Sequence, residues 1–254
     1  MNPQENLQGR ACLVTGASRT LGATIARVLS GYGAILAVNY WQSAEAAETL
    51  CNELRSAGGI AHPFRADISD PQALTNLIEQ VWAELGPLEL LVNNVGHFTE
   101  VPFMELPLEE FDRILASNVR ATFVGTQVAG RKMKARGRGS IVNIAATDAF
   151  HRTHSAYGLA KEGVLHLTQA MALELAPEVR VNAIAPDLIA DNEDMDEPFI
   201  RRALGGTPLQ RLVTRQEIAE MVALLSTPAF APVTGQTIIM DGGRSIPRLR
   251  FGEI

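Results

Sequence analysis

Residues 10–22 read Arg-Ala-Cys-Leu-Val-Thr-Gly-Ala-Ser-Arg-Thr-Leu-Gly and predict the fold of the chain. The run from Arg10 to Thr15 is mostly apolar and ends at Gly16, as expected of a short buried strand. After Gly22, apolar residues recur at helical spacing over residues 23–29. A strand, a glycine turn and a helix in this order form the first half of a βαβ unit.

The same alternation continues along the chain. Apolar runs predict strands at residues 10–15, 34–38, 60–65, 88–92, 140–144, 179–184 and 236–240. Further helical patterns lie at residues 43–57 with Ser43 as N-cap, at 71–85 with Ser69 or Asp70 as N-cap, at 108–136 and at about 156–175. We therefore expect one α/β domain over residues 1–254, a Rossmann-like, doubly wound sheet of about seven parallel strands with helices on both faces.

Composition argues against several classes of protein. Of 254 residues, 46% are hydrophobic and 20% charged, and the formal net charge is −6, which is unlike a nucleic-acid surface. No apolar run approaches the roughly 18–20 residues that cross a bilayer, and the N-terminus lacks a secretory signal. Cys12 lies in the first apolar run and is expected to be a buried hydrophobe rather than a disulfide partner of Cys51. We expect a cytoplasmic protein that acts on a small molecule, with no nucleic-acid or membrane partner.

Two segments lack a clear pattern. Residues 187–208 form the longest irregular stretch, and residues 191–197 within it are dense in acid. A loop of this length in a compact domain is often a lid over a substrate, and a solvated surface loop is the alternative. The tail, residues 244–254, either reaches a neighbouring subunit or is mobile.

The glycine turn between the first strand and the first helix is suited to a dinucleotide. Glycine lets the backbone approach a pyrophosphate, and the helix N-terminus offers free N–H groups. The second strand ends in Asn39 and Tyr40, and no acid follows before Glu45, although an acid there would repel a 2′-phosphate. Arg19 and Ser43 can contact phosphate, so the residues favour NADP(H) over NAD(H). The alternative for Arg19 is an exposed turn residue.

Tyr157 and Lys161 are four residues apart, so their side chains lie on the same face of a helix. The positive charge of Lys161 is expected to lower the pKa of the Tyr157 phenol and to make it a proton donor or acceptor. The alternative is a chance pair on a helix surface.

Together, these residues resemble the short-chain dehydrogenase/reductase family over nearly the whole chain. The motifs that carry the resemblance are Thr15-Gly16-Ala17-Ser18-Arg19-Thr20-Leu21-Gly22, Asn93-Asn94-Val95-Gly96, Asn118, Tyr157 with Lys161, Pro186 and Asp241-Gly242-Gly243. Residues 175–186 are similar to those of the NADPH-dependent ketoacyl-carrier-protein reductases and the pteridine reductases. The resemblance implies a homo-oligomer, either a dimer or a tetramer.

The resemblance also implies roles for the matching residues. Tyr157 would be the general acid, Lys161 would bind the nicotinamide ribose, and Asn118 would hold a water molecule in a proton relay. For Asn118, an amide on the helix surface is the alternative. The residues expected to contact the cofactor are Gly16, Ser18, Arg19, Leu21, Gly22, Asn39, Tyr40, Ser43, Asp67, Ile68, Asn93, Val95, Gly96, Tyr157, Lys161, Pro186 and Ile189.

Three positions depart from the family pattern. Thr20 replaces the middle glycine of the turn, Asp187 stands where the family usually has glycine, and Ala146 stands where it has a catalytic serine. Alanine cannot donate a hydrogen bond to a substrate, and the loss of one such donor costs about a hundredfold in rate. Three alternatives stay open: Thr147 takes over this role, Asp148 takes it over, or neither does.

Four residues are expected on the substrate side, and they are His97, His151, His154 and Asp187. Histidines there suit an anionic or strongly polar substrate, and solvated side chains on a loop are the alternative. A metal site is not expected, because the sequence has no further ligands at a matching spacing.

The sequence thus predicts an NADP(H)-dependent oxidoreductase that reduces a C=O group to an alcohol, with Tyr157 as proton donor. Within enzymes, the alternative is reduction of a polarised C=N or C=C bond, for which a missing serine matters less. Outside enzymes, the alternative is a catalytically poor NADP(H)-binding sensor or structural protein. The presence of Asn118, Tyr157 and Lys161 argues against that last interpretation.

Overall fold

The central feature of the computed structural model, which describes residues 7–150, 155–191 and 197–246, is a sheet of seven parallel strands. The strands are β1 (Ala11–Val14), β2 (Ile35–Tyr40), β3 (Ile60–Arg65), β4 (Leu88–Asn93), β5 (Gly139–Ile144), β6 (Val179–Pro186) and β7 (Thr237–Met240). The prediction of seven parallel strands is confirmed.

Helices connect most of these strands. They are α1 (Thr20–Gly31), α2 (Ala44–Ser56), α3 (Pro71–Leu85), α4 (Leu108–Leu115), α5 (Ala121–Arg136), α6 (Ala156–Leu175), α7 (Glu197–Gly206) and α8 (Arg215–Leu225). A π-helical turn (Ala116–Arg120) joins α4 to α5, and single 3₁₀ turns lie at Thr147–Ala149 and Pro228–Phe230.

The order of the strands fixes where a ligand can bind. Across the sheet the order is β3-β2-β1-β4-β5-β6-β7. Successive strands are thus added outward from β1 on one side and outward from β4 on the other, so the strand order reverses between β1 and β4. In open parallel sheets, ligands bind at the carboxyl ends of the strands beside such a reversal. The glycine turn follows β1, and residues 94–97 follow β4, so both lie at this edge.

Helices cover both faces of the sheet, as predicted. One apolar core contains Ile25 of α1, Leu50 of α2 and Val222 of α8. The other contains Ile78 of α3 and Met133 of α5, together with residues of α6. The burial of apolar side chains on both sides explains why the strands read as nearly continuous apolar runs.

The helix N-termini are capped in part as predicted. Of the two candidates for α3, Asp70 is the cap, because its carboxylate accepts hydrogen bonds from the N–H groups of Gln72 and Ala73. Ser43 occupies the N-cap position of α2, but its side chain makes no capping hydrogen bond. Ser155 caps α6, since its Oγ accepts a 3.0 Å hydrogen bond from the N–H of Gly158.

Two predicted segments differ in the structure. Residues 108–136 are not one regular helix, because the π-helical turn interrupts them. Residues 187–208 are not wholly irregular, because α7 lies within them and buries Ala203. The apolar pattern of α7 is short and directly follows the acidic residues, so its helical signal in the sequence is weak.

Both cysteines are free and buried, as expected for Cys12. Within residues 7–150, 155–191 and 197–246, no helix combines the length and the apolar character needed to cross a membrane.

Candidate active site

The glycine turn packs so closely against the loop after β4 that two of its positions have no space for a side chain. Gly16 has φ +60°, and a Cβ there would overlap the side chain of Val95. A Cβ at Gly22 would overlap the carbonyl oxygen of Gly16 and lie 2.8 Å from Asn94 Nδ2. The two glycines therefore let the turn pack against the loop after β4, at the sheet edge where the N-terminus of α1 would meet the pyrophosphate of a dinucleotide. These residues fit the predicted cofactor.

Asn39 and Asn93, both predicted to contact the cofactor, have side chains that hydrogen-bond within the protein. Oδ1 of Asn39 accepts a 3.0 Å hydrogen bond from the N–H of Gly16, and its Nδ2 donates to the carbonyl oxygens of Phe64 and Ala66. Nδ2 of Asn93 donates a 2.9 Å hydrogen bond to Oδ1 of Asn143. Asn39 therefore holds the turn against β2 and β3, and Asn93 joins β4 to β5.

The remaining residues predicted at the adenosine end lie along the outer part of the same edge. Arg19 is exposed at the N-cap position of α1, and Ser18 lines a groove together with Glu45 of α2. Leu21 and Ile68 are buried, and Tyr40 is half-buried. Oδ1 of Asp67 accepts hydrogen bonds from both the N–H and the Oγ of Ser69 and so closes the turn before α3.

Sequence reasoning missed a contact at this end of the edge. The guanidinium carbon of Arg65 lies 4.7 Å from the centre of the Trp41 ring. Trp41 directly follows β2, and Arg65 is the last residue of the neighbouring β3, where it pairs in register with Tyr40. The one available signal was a polar residue at the carboxyl end of the third predicted strand.

Tyr157 and Lys161 share one face of α6, as predicted. Nζ of Lys161 lies 5.4 Å from the centre of the Tyr157 ring and donates a 2.9 Å hydrogen bond to the carbonyl oxygen of Ile144. The ammonium therefore links the start of α6 to the end of β5. Lys161 is only 3% exposed, which is rare for a lysine outside a functional site.

The electrostatic prediction for this pair was wrong. Burial raises the pKa of Tyr157 above its ordinary value, and the negative charge of Asp148 raises it further. Burial lowers the pKa of Lys161 to about 8, against the opposing effect of Asp148. Burial of the phenol therefore determines the direction of its pKa shift.

Asn118 lies in the π-helical turn, and π turns inside helices are frequent at functional sites. Its Nδ2 donates 3.0 Å hydrogen bonds to the carbonyl oxygens of His97 and Ile114. Its Oδ1 is buried and has no hydrogen-bond partner among the described residues. A Cβ at Gly96 would overlap this oxygen and lie 2.9 Å from Nζ of Lys161, so both groups face the space beside Gly96. A buried acceptor next to an ammonium is suited to a bound water molecule.

The 3₁₀ turn after β5 contains the candidates for the missing serine. Thr147 is fully buried, and its hydroxyl donates a 2.9 Å hydrogen bond to Oδ1 of Asp187. Arg244 donates a 3.1 Å hydrogen bond to Oδ2 of the same carboxylate. The proton of Thr147 is thus directed to Asp187, whereas the charge of Asp148 acts on both Tyr157 and Lys161.

On the substrate side, the ring of Phe98 contacts Tyr157 edge-on, with ring centres 4.9 Å apart and an interplanar angle of 81°. Nε2 of His97 lies 2.7 Å from Oε1 of Glu110, so this histidine is held by a carboxylate. The sequence predicts His97 and Phe98 together on the substrate side, after the fourth strand, whereas Glu110 was not predicted.

The other predicted positions divide into two groups. Pro186 ends β6, and Ile189 forms an isolated parallel bridge with Val213. His151 and His154 lie outside the described residues. In the part of the chain that the structure describes, no group of three or more His, Cys, Asp or Glu side chains is arranged to hold a metal.

Comparison with known proteins agrees with this geometry. A family model described as enoyl-(acyl carrier protein) reductase matches residues 16–245. The chain is 32% identical to the 3-oxoacyl-[acyl-carrier-protein] reductase of Staphylococcus aureus over 239 residues, which is 92% of this chain and 97% of that protein.

Solved structures match over the same length. A short-chain dehydrogenase/reductase from Serratia marcescens superposes with a TM-score of 0.89 at 35% identity, over 94% of this chain and 99% of that chain. A 7α-hydroxysteroid dehydrogenase in complex with NADH and 7-oxo glycochenodeoxycholic acid superposes with a TM-score of 0.90 at 31% identity, over 96% and 97%. The chain belongs to the short-chain dehydrogenase/reductase family of oxidoreductases.

Proposed function

We propose that this protein is an NADP(H)-dependent reductase of a C=O group, in which Tyr157 donates the proton that completes the alcohol. The observation that carries the proposal is the meeting of Tyr157, Lys161 and the unpartnered Oδ1 of Asn118 beside Gly96. The ketoreductase relative from Staphylococcus aureus and the 7-oxo ligand of the steroid dehydrogenase structure support a carbonyl substrate.

Tyr157 is suited to act as an acid rather than a base at neutral pH. Its raised pKa keeps the phenol protonated until the substrate oxygen gains negative charge. The ammonium of Lys161, 5.4 Å from the ring centre, then stabilises the phenolate that remains. When bound, the nicotinamide supplies the hydride that reduces the substrate carbon.

Asn118 and Lys161 are suited to return the proton to Tyr157. A water molecule between Oδ1 of Asn118 and Nζ of Lys161 would donate a hydrogen bond to the buried oxygen and accept one from the ammonium. The hydrogen bond from Nδ2 of Asn118 to the carbonyl oxygen of His97 fixes the orientation of the amide. The two side chains would thus form part of a path that returns a proton to the phenol.

A specific observation favours a second candidate, the reduction of a C=N bond. Asp148 introduces a carboxylate close enough to raise the pKa of both Tyr157 and Lys161. A carboxylate attracts a protonated imine or pterin nitrogen, whereas it repels the oxyanion that develops when a ketone is reduced. The replacement of the family's serine by Ala146 removes the donor that a carbonyl oxygen needs.

The preference for NADP(H) is supported by the residues after β2. The stretch from Asn39 to Ala44 contains no acid that would repel a 2′-phosphate, and Arg19 is exposed at the turn.

Homo-oligomer formation is supported by apolar side chains that α5 and α6 expose to solvent. Phe123, Leu159 and Leu173 are examples, and Leu173 is 83% exposed. A second copy of the chain would bury them, and light scattering of the purified protein would show a dimer or a tetramer.

The test is NADPH oxidation by the wild type and by Tyr157→Phe with a panel of ketones, enones, cyclic imines and pterins. We expect turnover of one class, reduced at least about a hundredfold by Tyr157→Phe because general acids contribute 10²–10⁴-fold. Tyr32→Phe is the matched control, since the Tyr32 hydroxyl bonds to Glu220 far from the sheet edge that carries the site. Turnover that survives in Tyr157→Phe would show that another group donates the proton.

Asp148→Asn separates the two candidates. If the substrate is a cyclic imine or a pterin, loss of the carboxylate should lower the rate, and if it is a ketone, the rate should rise or stay unchanged. NADPH binding without turnover of any compound would contradict both candidates and favour a binding protein.

A further inference from the structure

Trp41 and Arg65 form a contact at the carboxyl ends of β2 and β3 that the catalytic residues do not explain. The guanidinium carbon of Arg65 lies 4.7 Å from the centre of the Trp41 ring, and Arg65 Nε donates a 3.3 Å hydrogen bond to the carbonyl oxygen of Trp41. Stacking on an aromatic ring fixes the plane of a guanidinium while leaving its terminal N–H groups available.

The position of Arg65 follows from the alternation of side chains along β3. Arg65 lies on the same face of the sheet as Ala61, which packs in one core with Leu50 of α2. The last turn of α2 lies at the start of β3, where Nε of Arg55 donates a 2.9 Å hydrogen bond to the carbonyl oxygen of Ala61. The first turn of α2, preceded by Ser43, therefore lies at the end of β3, beside Arg65.

This corner is continuous with the glycine turn. The N–H of Gly16 donates a 3.0 Å hydrogen bond to Oδ1 of Asn39, which joins the turn directly to the end of β2. Ser18 of the turn and Glu45 of α2 line one groove. A dinucleotide with its pyrophosphate at the turn would thus place its adenosine ribose next to α2.

The charges at this corner leave Arg65 available to an anion. Arg65 forms no ion pair with any residue in the described ranges, and its one hydrogen bond to them uses Nε. Oδ1 of the nearby Asp67 accepts hydrogen bonds of 2.9 and 2.7 Å from Ser69. Glu45 is the only acidic residue in the first turn of α2. Because its charge repels a phosphate, a phosphate bound at this corner would need a nearby cation.

We propose that Arg65, held by Trp41, binds the 2′-phosphate of NADP(H) and determines the cofactor preference of this enzyme. The inference rests on the proposed function and names the residue that enforces it. A guanidinium forms two parallel hydrogen bonds with a phosphate, and stacking on Trp41 orients that of Arg65, whereas Arg19 has no aromatic ring contact among the described residues. Arg65 is thus a more specific determinant than Arg19, the residue that the sequence suggested.

The test measures binding to the full-length protein without any catalytic step. Calorimetry compares 2′,5′-ADP with 5′-AMP, which lacks the 2′-phosphate, for the wild type, Arg65→Gln, Arg65→Lys and Arg19→Gln. Arg138→Gln is the matched control, because Arg138 is an exposed arginine that precedes β5 at the opposite edge of the sheet. Tryptophan fluorescence adds a second readout, since the chain has only two tryptophans. Trp41→Phe should remove the change that 2′,5′-ADP causes.

We expect the wild type to bind 2′,5′-ADP at least about tenfold more tightly than 5′-AMP. Arg65→Gln should weaken the binding of 2′,5′-ADP about tenfold or more and change the affinity for 5′-AMP by less than about twofold. The affinity of Arg65→Lys for 2′,5′-ADP should lie between those of the wild type and Arg65→Gln. An unchanged ratio in Arg65→Gln, or its loss only in Arg19→Gln, would overturn the assignment to Arg65. A wild type without preference would overturn the NADP(H) proposal itself, so the two failures are distinguishable.

Discussion

The hydroxyl of Thr147 donates a 2.9 Å hydrogen bond to Oδ1 of Asp187, across 40 positions of sequence. The family resemblance predicts a glycine at the position of Asp187 and a catalytic serine at the position of Ala146, which Thr147 directly follows. The hydrogen bond therefore joins one departure from the family pattern, Asp187, to the residue directly after another, Ala146. Arg244 holds the other oxygen of the carboxylate, so the turn after β5, the end of β6 and the start of the tail are connected.

A double-mutant cycle should show that this connection stabilises the protein. Thr147→Val and Asp187→Ala should each lower the free energy of unfolding by about 1–3 kcal/mol, because each leaves a buried partner unsatisfied. The double variant should lose less than the sum, with a coupling of about 0.5 kcal/mol or more, measured by urea denaturation. Thr147→Val combined with Thr75→Val, on the exposed surface of α3, should be additive within about 0.5 kcal/mol. Additive losses for Thr147 and Asp187 would contradict the coupling.

The stability of the protein should depend on pH through Lys161. Burial lowers its pKa to about 8 in the folded state, whereas an unfolded lysine has a pKa of about 10.4. Between these values the unfolded chain binds a proton that the folded protein has released, so the free energy of unfolding rises with pH.

Lys161→Met removes this contribution. The free energy of unfolding of the wild type minus that of Lys161→Met should grow by about 1–2 kcal/mol from about pH 7 to about pH 9.5. The same difference for Lys134→Met, an exposed lysine on α5, should stay flat. A flat difference for Lys161→Met would show that its ammonium is not desolvated.

Gly96→Ala should impair catalysis more than folding. The new methyl group would overlap Oδ1 of Asn118 and lie 2.9 Å from Nζ of Lys161, so one of the two must move. A displacement of about 1 Å at a catalytic group costs about a hundredfold in rate, and we expect a fall of this size in kcat.

Gly31→Ala is the control for Gly96→Ala. Gly31 lies at the end of α1 with open space around its Cβ position, and its φ is not in the left-handed region. This variant should keep its activity and gain up to about 1 kcal/mol in the free energy of unfolding. Equal activity in the two variants would contradict the close contact beside Gly96.

Thr20→Gly should stabilise the protein. Thr20 has φ 49°, a left-handed conformation that is unfavourable for a β-branched residue. Removal of the side chain should relieve about 1–2 kcal/mol of strain, against about 0.5–1 kcal/mol of extra backbone entropy in the unfolded chain. The melting temperature should therefore rise slightly, whereas Thr24→Gly, one turn further into α1, should lower it. A drop for Thr20→Gly as large as that for Thr24→Gly would show that the turn is not strained.

The sequence by itself determined the order of the seven strands and of the helices up to α6, and it named the residues of the candidate site, whereas it did not predict α7 or α8. The seven strands, the glycine turn and the spacing of Tyr157 and Lys161 follow from patterns among residues close together in the chain. Such features depend on backbone geometry that repeats every two to four residues, so one sequence is enough to predict them.

Only the tertiary structure decided which distant groups meet and how deeply they are buried. The contact of Arg65 with Trp41 spans 24 positions, and that of Thr147 with Asp187 spans 40. The prediction that Lys161 lowers the pKa of Tyr157 was wrong, because desolvation depends on the packing of α6 against the turn after β5. The side chains of Asn39 and Asn93 bond to neighbouring strands for the same reason. The hydrogen-bond partners and the burial of these side chains depend on contacts between segments that are distant in the sequence. No local pattern of residues predicts such contacts.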